Sequence, residues 1–146
     1  MARKTEDDDS LKGQGIYPVW LFVLLGYCCL IYWLSSQSHL PSPLLFSGQD
    51  KLIHATAYAI MAWIFWQIFS EDRLNRPCLL AGAAVIFCSL YGISDEWHQS
   101  FVAGRDASAW DWLADTLGAI VLSGVRLYMG KAGQKGCPET LGRGHG

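Results

Sequence analysis

The residues of this 146-residue chain that could do chemistry fall into three short stretches. Asp50, Lys51, His54 and Tyr58 open one apolar run; Tyr91, Ser94, Asp95, Glu96, His98 and Gln99 close another; Asp111 and Asp115 open a third. Asp50, His54 and Tyr58 stand at i, i+4 and i+8, so on a helix they form one stripe. Asp115 follows Asp111 at i+4, roughly 6 Å further along by the rise of an α-helix. If the helix continues through DEWHQ, Tyr91, Asp95 and His98 share a face, with Ser94 and Gln99 beside it. Arg105 lies on the connection between the second and third stretches. His54 or His98, oriented by Asp95 or Asp115, would serve as general base or nucleophile, with Arg105 stabilising a developing anion. The same groups would equally build a binding site. Arg105 and Lys51 would pair with a phosphate or carboxylate, Tyr58 and Gln99 would add hydrogen bonds, and Trp97, Trp110 and Trp112 would pack on lipid or sugar.

Structural roles compete for several of these residues. Ser47-x-x-Asp50 and Ser108-x-x-Asp111 both fit a helix N-terminal capping box. Glu96 falls on a different helical face from Asp95 and suits a solvated interface. Lys51 suits snorkelling to lipid headgroups, and Arg105, after a turn at Gly104, suits pairing with Asp106 or Asp111. Capping does not account for His54, Asp95, His98 or Asp115. A buried ion-pair or hydrogen-bond network is the alternative to a site for those four. A divalent metal held by Asp95, His98, His54 and Asp115 is a variant, although no local ligand pair has a diagnostic spacing. No cofactor motif is present.

The elements that must position these residues are membrane helices. Half of the chain is hydrophobic (51%), a composition that a soluble protein could also carry, so clustering decides. The charges gather in the first dozen residues, two short loops and the tail, leaving apolar runs at about Pro18–Leu34, Asp50–Phe69, Cys78–Ser94 and Trp110–Met129. These approach the roughly 20 residues that span a bilayer core. The first run is too long for a signal-peptide core, and SSQSHLP after it is a poor cleavage site, so it reads as a retained span. The expected architecture is an all-α integral membrane protein, a four-transmembrane-helix bundle over residues 16–129. Residues 1–15 read as a disordered cytoplasmic segment and 130–146 as a flexible, Gly-rich cytoplasmic tail.

Orientation follows from Lys and Arg near the span ends. Arg3, Lys4, Lys12, Arg73, Arg76, Arg126, Lys131, Lys135 and Arg143 lie on one side, against Lys51 and Arg105 on the other. Both termini are therefore expected in the cytoplasm and the polar cluster at the outer face. A net charge of −2 gives no indication of nucleic-acid binding. Cys28, Cys29 and Cys88 sit in apolar runs, and no C-x-x-C pair points to a disulfide framework or zinc-thiolate site.

At DKLIHATAY, and again at SDEWHQSFVAGRDASAWDWLADTLGAIV, the sequence resembles the VanZ-like family of small bacterial membrane proteins. The shared features are a D-K-x-x-H-x-x-x-Y opening, a D-E-x-x-Q close, a Gly-Arg turn and a D-x-x-x-D/N-x-x-G helix, in order, over about residues 30–125. Family members often carry Pro at the position of Ala103 and Asn at that of Asp115. The resemblance implies a bacterial cytoplasmic membrane and a role in the cell envelope. The namesake is associated with low-level resistance to teicoplanin-type glycopeptides, which act on lipid-linked cell-wall precursors at the outer face. The DEWHQ close resembles Gram-negative versions, which argues against a dedicated resistance protein. The implied function is an envelope factor whose partner is a membrane lipid or lipid-linked envelope precursor. The alternative is a membrane hydrolase or transferase acting on a lipid-linked phosphate or acyl substrate. Ion translocation through the carboxylates ranks last, because one protomer offers a narrow path and an oligomer would be needed.

Overall fold

The computed structural model describes residues 17–38, 48–69 and 76–135. They form four helices: α1 (Pro18–Ser35), α2 (Gln49–Gln67), α3 (Pro77–Gln99) and α4 (Ala109–Lys135). Proline occupies the first turn of α1 and of α3, where its missing N–H would have no intrahelical partner in any case. The Tyr17 N–H donates to the Ile68 carbonyl at 2.8 Å, tying the start of α1 to the end of α2. The α3 helix runs through DEWHQ and so carries Asp95, Glu96, His98 and Gln99 on a regular helix. The α4 helix continues six residues past Met129. The segment 1–15, expected to be disordered, and residues 136–146 of the tail expected to be flexible lie outside the described residues.

The α2 helix packs most extensively on α4, α4 next on α3, and α1 leans on α2 and α3 without meeting α4. The pair α2 and α3 therefore lies between α1 and α4. This order brings the end of α1, the start of α2, the end of α3 and the start of α4 to one end of the bundle. All the candidate residues are there.

Three helices, α1, α3 and α4, are long and apolar enough to cross a membrane; α2 is not. Of the four expected spans, three meet this measure of length and hydropathy. Asp50, Lys51 and His54 sit in the first two turns of α2 and lower its hydropathy. It nevertheless keeps a lipid-suited face, with Leu52, Ile53, Ile60 and Trp63 exposed, while Tyr58, Met61, Ala62 and Trp66 are buried against the other helices. A helix enclosed by neighbours needs apolar side chains only where lipid reaches it, and its polar residues can turn inward. Large apolar side chains elsewhere on the outside, among them Phe22, Leu79, Ile86 and Val121, give the bundle the exterior of a membrane protein.

Within a bilayer, helices associate by close packing rather than by burial from water, and small residues permit it. Gly118 on α4 lies against the backbone of Ala55 on α2, so closely that any Cβ there would overlap the Ala55 carbonyl group. Ala114 and Ala119 flank this contact, both buried. A Gly118→Ala substitution must push α2 and α4 apart, and overpacking of this kind typically costs ~1–3 kcal/mol. Gly124, six residues on, has nothing within 4 Å of the place a Cβ would take, and alanine there should be neutral or slightly stabilising. Thermal unfolding of the two variants in detergent, followed by size-exclusion chromatography, should show a clear loss for Gly118→Ala only.

Candidate functional site

A cleft of about 360 Å³ opens at the end of the bundle where the candidate residues gather. Its polar lining comes from Ser35, Asp50, His54, Tyr58, Asp95, Gln99 and Arg105, and its apolar lining from Ile31, Leu34, Ile53 and Ala57. The stripe Asp50, His54, Tyr58 on α2 thus faces the cleft as its spacing predicts. Tyr58 is almost fully buried, and its hydroxyl has no hydrogen-bond partner.

The α2–α4 contact at Gly118 sets up two side-chain pairs one turn apart. His54 Nδ1 lies 3.0 Å from Asp115 Oδ1, with Asp115 completely buried. Lys51 Nζ lies 2.8 Å from Asp111 Oδ1. Asp115 stands behind His54 rather than in the cleft, and holds the imidazole at the wall. Lys51 is therefore committed to Asp111, not free to snorkel. The Lys51 end of that pair is open to solvent, so the pair fixes geometry more than it adds stability.

Asp95 and Glu96 point to different neighbours. Asp95 faces α1, where Ser35 Oγ donates to Asp95 Oδ1 at 2.6 Å, and Gln99 Nε2 donates to both Asp95 Oδ2 and Ser35 Oγ at 3.0 Å. The three form a closed, buried triangle. Glu96 faces α4 on the stripe that also holds Ser89 and Gly92. Its Oε2 accepts the Ser108 N–H at 2.7 Å, and its Oε1 is buried with no partner. The expectation of a solvated Glu96 is corrected by this burial, 8% exposed. Glu96 also takes a task assigned above to Asp111. In a capping box the acidic residue accepts the N–H of the cap residue; here Glu96, from another helix, accepts that of Ser108, while Ser108 Oγ accepts the Trp110 N–H at 3.2 Å. At α2 the cap position is Gly48, with φ of 93° and no side-chain cap, and Ser47 lies outside the described residues.

Two further residues stand differently from expectation. His98 is outside the cleft: its Nε2 lies 3.0 Å from Ser36 Oγ and its ring covers Tyr32 with centroids 4.3 Å apart. The four residues expected to converge therefore separate into His54 and Asp95 on the wall, Asp115 behind it and His98 apart. Arg105 follows Gly104, which takes the positive φ of 82° that the turn requires. Its guanidinium donates to the Gln37 and Leu34 carbonyls at 3.0 and 3.1 Å, holding the free end of α1, and pairs with neither Asp106 nor Asp111. Trp112 turns inward and donates to Ser89, whereas Trp97 and Trp110 are exposed. Ser35 was not singled out in the sequence, because a serine at the end of an apolar run has no pattern of its own.

A family model described as VanZ/LLP1 matches residues 14–129, and the chain belongs to that family. The match extends beyond the motifs to include the whole of α1. None of the curated proteins and none of the solved structures compared matches the chain.

The Ser35–Asp95–Gln99 triangle yields a direct check. Ser35→Ala leaves Asp95 Oδ1 buried without its donor, which typically costs about 1–3 kcal/mol. Ser36→Ala removes a hydroxyl from a less enclosed position and should cost less. Midpoints of thermal unfolding for the two variants, measured side by side in the same detergent, should fall in that order.

Proposed function

We propose that this VanZ/LLP1 protein is a cell-envelope factor of the bacterial cytoplasmic membrane, with four spans, both termini cytoplasmic and the cleft open at the outer face. Its ligand is the anionic headgroup of a membrane lipid or lipid-linked envelope precursor. The observation that carries this reading is Arg105. The guanidinium lines the cleft and is held by backbone carbonyls, and among the described residues no carboxylate pairs with it. Its charge is therefore not committed to a partner, although Asp50 and Asp95 share the cleft, whereas Lys51 is paired with Asp111. Apolar and polar lining side by side suits an amphiphile, whose chain and headgroup need different surroundings. The orientation rests on the Lys and Arg asymmetry of the sequence.

A catalytic reading is favoured by one feature. A cleft-lining imidazole oriented by a fully buried carboxylate is the arrangement of a general base. In that case His54 would be the base on a lipid-linked phosphate or acyl substrate, and Asp115 its positioning partner. The two readings separate in the cell. A strain lacking the protein should be complemented for glycopeptide susceptibility or envelope stress by the wild type. His54→Ala, Asp95→Asn and Arg105→Ala, at matched membrane levels, should each lose at least about ten-fold of that rescue. Full rescue by all three variants would reduce the polar cluster to a structural network. Lipid extracts decide between binding and chemistry: a headgroup species that accumulates equally in the deletion and His54→Ala strains marks an enzyme, and unchanged lipids mark a binding factor.

A further inference from the structure

We infer that His54, Glu96 and Asp115 form a binding site for a single divalent transition-metal ion, set into the bundle behind the cleft wall. This site does not use Arg105, on which the headgroup reading rests, and it shares only His54 with the cleft. One nitrogen of His54 and one carboxylate oxygen each of Glu96 and Asp115 lie within 4.8 Å of one another. Small side-chain rotations bring such a group to the roughly 2.0–2.2 Å that nitrogen and oxygen ligands keep from zinc.

Proximity of acidic groups alone would prove little; the unsatisfied atoms give it weight. Asp115 Oδ2 and Glu96 Oε1 are both buried and both lack any hydrogen-bond partner, on side chains 0% and 8% exposed. A buried carboxylate oxygen without a donor is expensive, and one of the ordinary remedies is a cation. Both orphan oxygens belong to the same three-residue group. Asp115 Oδ2 also points at α3 beside Gly92, where an added Cβ would stand 3.1 Å away. Glu96 lies one helical turn beyond that glycine. The glycine thus leaves open the space on the α3 side into which the free oxygen faces.

Charge balance selects the ion. Lys51 pairs with Asp111 and His54 with Asp115, while Glu96 is in no ion pair among the described residues. Two carboxylates and a neutral imidazole sum to −2, which a divalent cation cancels in a low-dielectric setting where uncancelled charge is costly. The donor set is one nitrogen and two oxygens, with no thiolate. It suits Zn²⁺ or Mn²⁺ better than Mg²⁺, which prefers oxygen ligands, or Cu(I), which prefers sulfur. Asp50 and Asp111 make a second group with His54. That group is the weaker candidate, because Asp111 is paired and Asp50 is exposed.

The test uses the full chain, purified in detergent without a polyhistidine tag and stripped with chelator. Titration with Zn²⁺, Mn²⁺ and Mg²⁺, together with elemental analysis after buffer exchange, should find about one equivalent of Zn²⁺ or Mn²⁺. The preference over Mg²⁺ should be at least about ten-fold. Glu96→Gln preserves an acceptor for the Ser108 N–H, so the variant should stay monodisperse, and it should weaken binding about ten-fold or more. His98→Gln, away from the group, should bind as the wild type does. Failure of the wild type to retain an equivalent of either ion overturns the inference, as does undiminished binding by Glu96→Gln. Loss of binding in Asp50→Asn with Glu96→Gln unaffected overturns it too, by placing the ion in the outer group. Arg105→Ala should leave metal uptake unchanged, so failure here is distinguishable from failure of the headgroup reading.

Discussion

The close approach of α2 and α4 at Gly118 and Ala55 is the constraint on which the polar end of this bundle depends. Two helices in lipid have no hydrophobic force pressing them together, so their separation is set by the side chains between them. With a hydrogen atom in place of a side chain at Gly118, the backbones come near enough for short pairs to form across the interface. His54 then meets Asp115 and Lys51 meets Asp111, at separations of 3.0 and 2.8 Å. An ångström of extra separation would break both hydrogen bonds and leave Asp115, which is fully buried, without its donor. Packing therefore precedes chemistry here: the smallest residue of α4 governs the position of the most buried acid.

The other side of α3 follows a different rule. Towards α1 the contacts are fewer, and they are polar: Ser35, Asp95 and Gln99 satisfy one another, Tyr91 donates to the Cys28 carbonyl, and Arg105 holds the last carbonyls of α1. The first helix is thus fastened near its end by hydrogen bonds, and the cleft lies beside that fastening. Asp95 and Glu96, adjacent in sequence, serve the two interfaces separately. One acid completes a satisfied triangle and the other retains an open oxygen.

Much of this was legible in the sequence. Apolar runs separated by charge clusters located the four helices, and the i, i+4, i+8 spacing of Asp50, His54 and Tyr58 put them on one wall. The i+4 spacing of Asp111 and Asp115 likewise put both on one face of α4. What the sequence could not convey is which neighbour each face meets. Glu96 looked solvated because it differs in face from Asp95, and only the position of α4 shows that its own face is covered. Yet Ser89, Gly92 and Glu96 recur at i, i+3 and i+7, a stripe of small and polar residues that already marks a helix contact. His98 shared a face with Asp95 by spacing, but one further turn carries it past the cleft to the end of α1, where Tyr32 and Ser36 receive it. Arg105 was expected to pair with the acids nearest in sequence, whereas a guanidinium on a turn reaches whichever carbonyls a helix end leaves free. The low mean hydropathy of α2 comes from Asp50, Lys51 and His54 in its first two turns, beside a face of exposed apolar side chains further along.

The distribution of charge ties these features together. The cation that lines the cleft, Arg105, is held on the α1 side by groups that do not cancel its charge. The unsatisfied acids, Glu96 and Asp115, lie on the α4 side, with His54 between the two sets on the cleft wall. Asp50 and Asp95 line the cleft together with Arg105, in a space partly walled by apolar side chains where water screens weakly. Charges held in such a setting need nearby dipoles, and the carbonyls on Arg105 and the Ser108 N–H on Glu96 supply some of them. His54 joins the two sides: its Nδ1 is held by Asp115, and its ring borders the cleft. The geometry of that imidazole therefore depends on the α2–α4 packing as well as on the cleft wall.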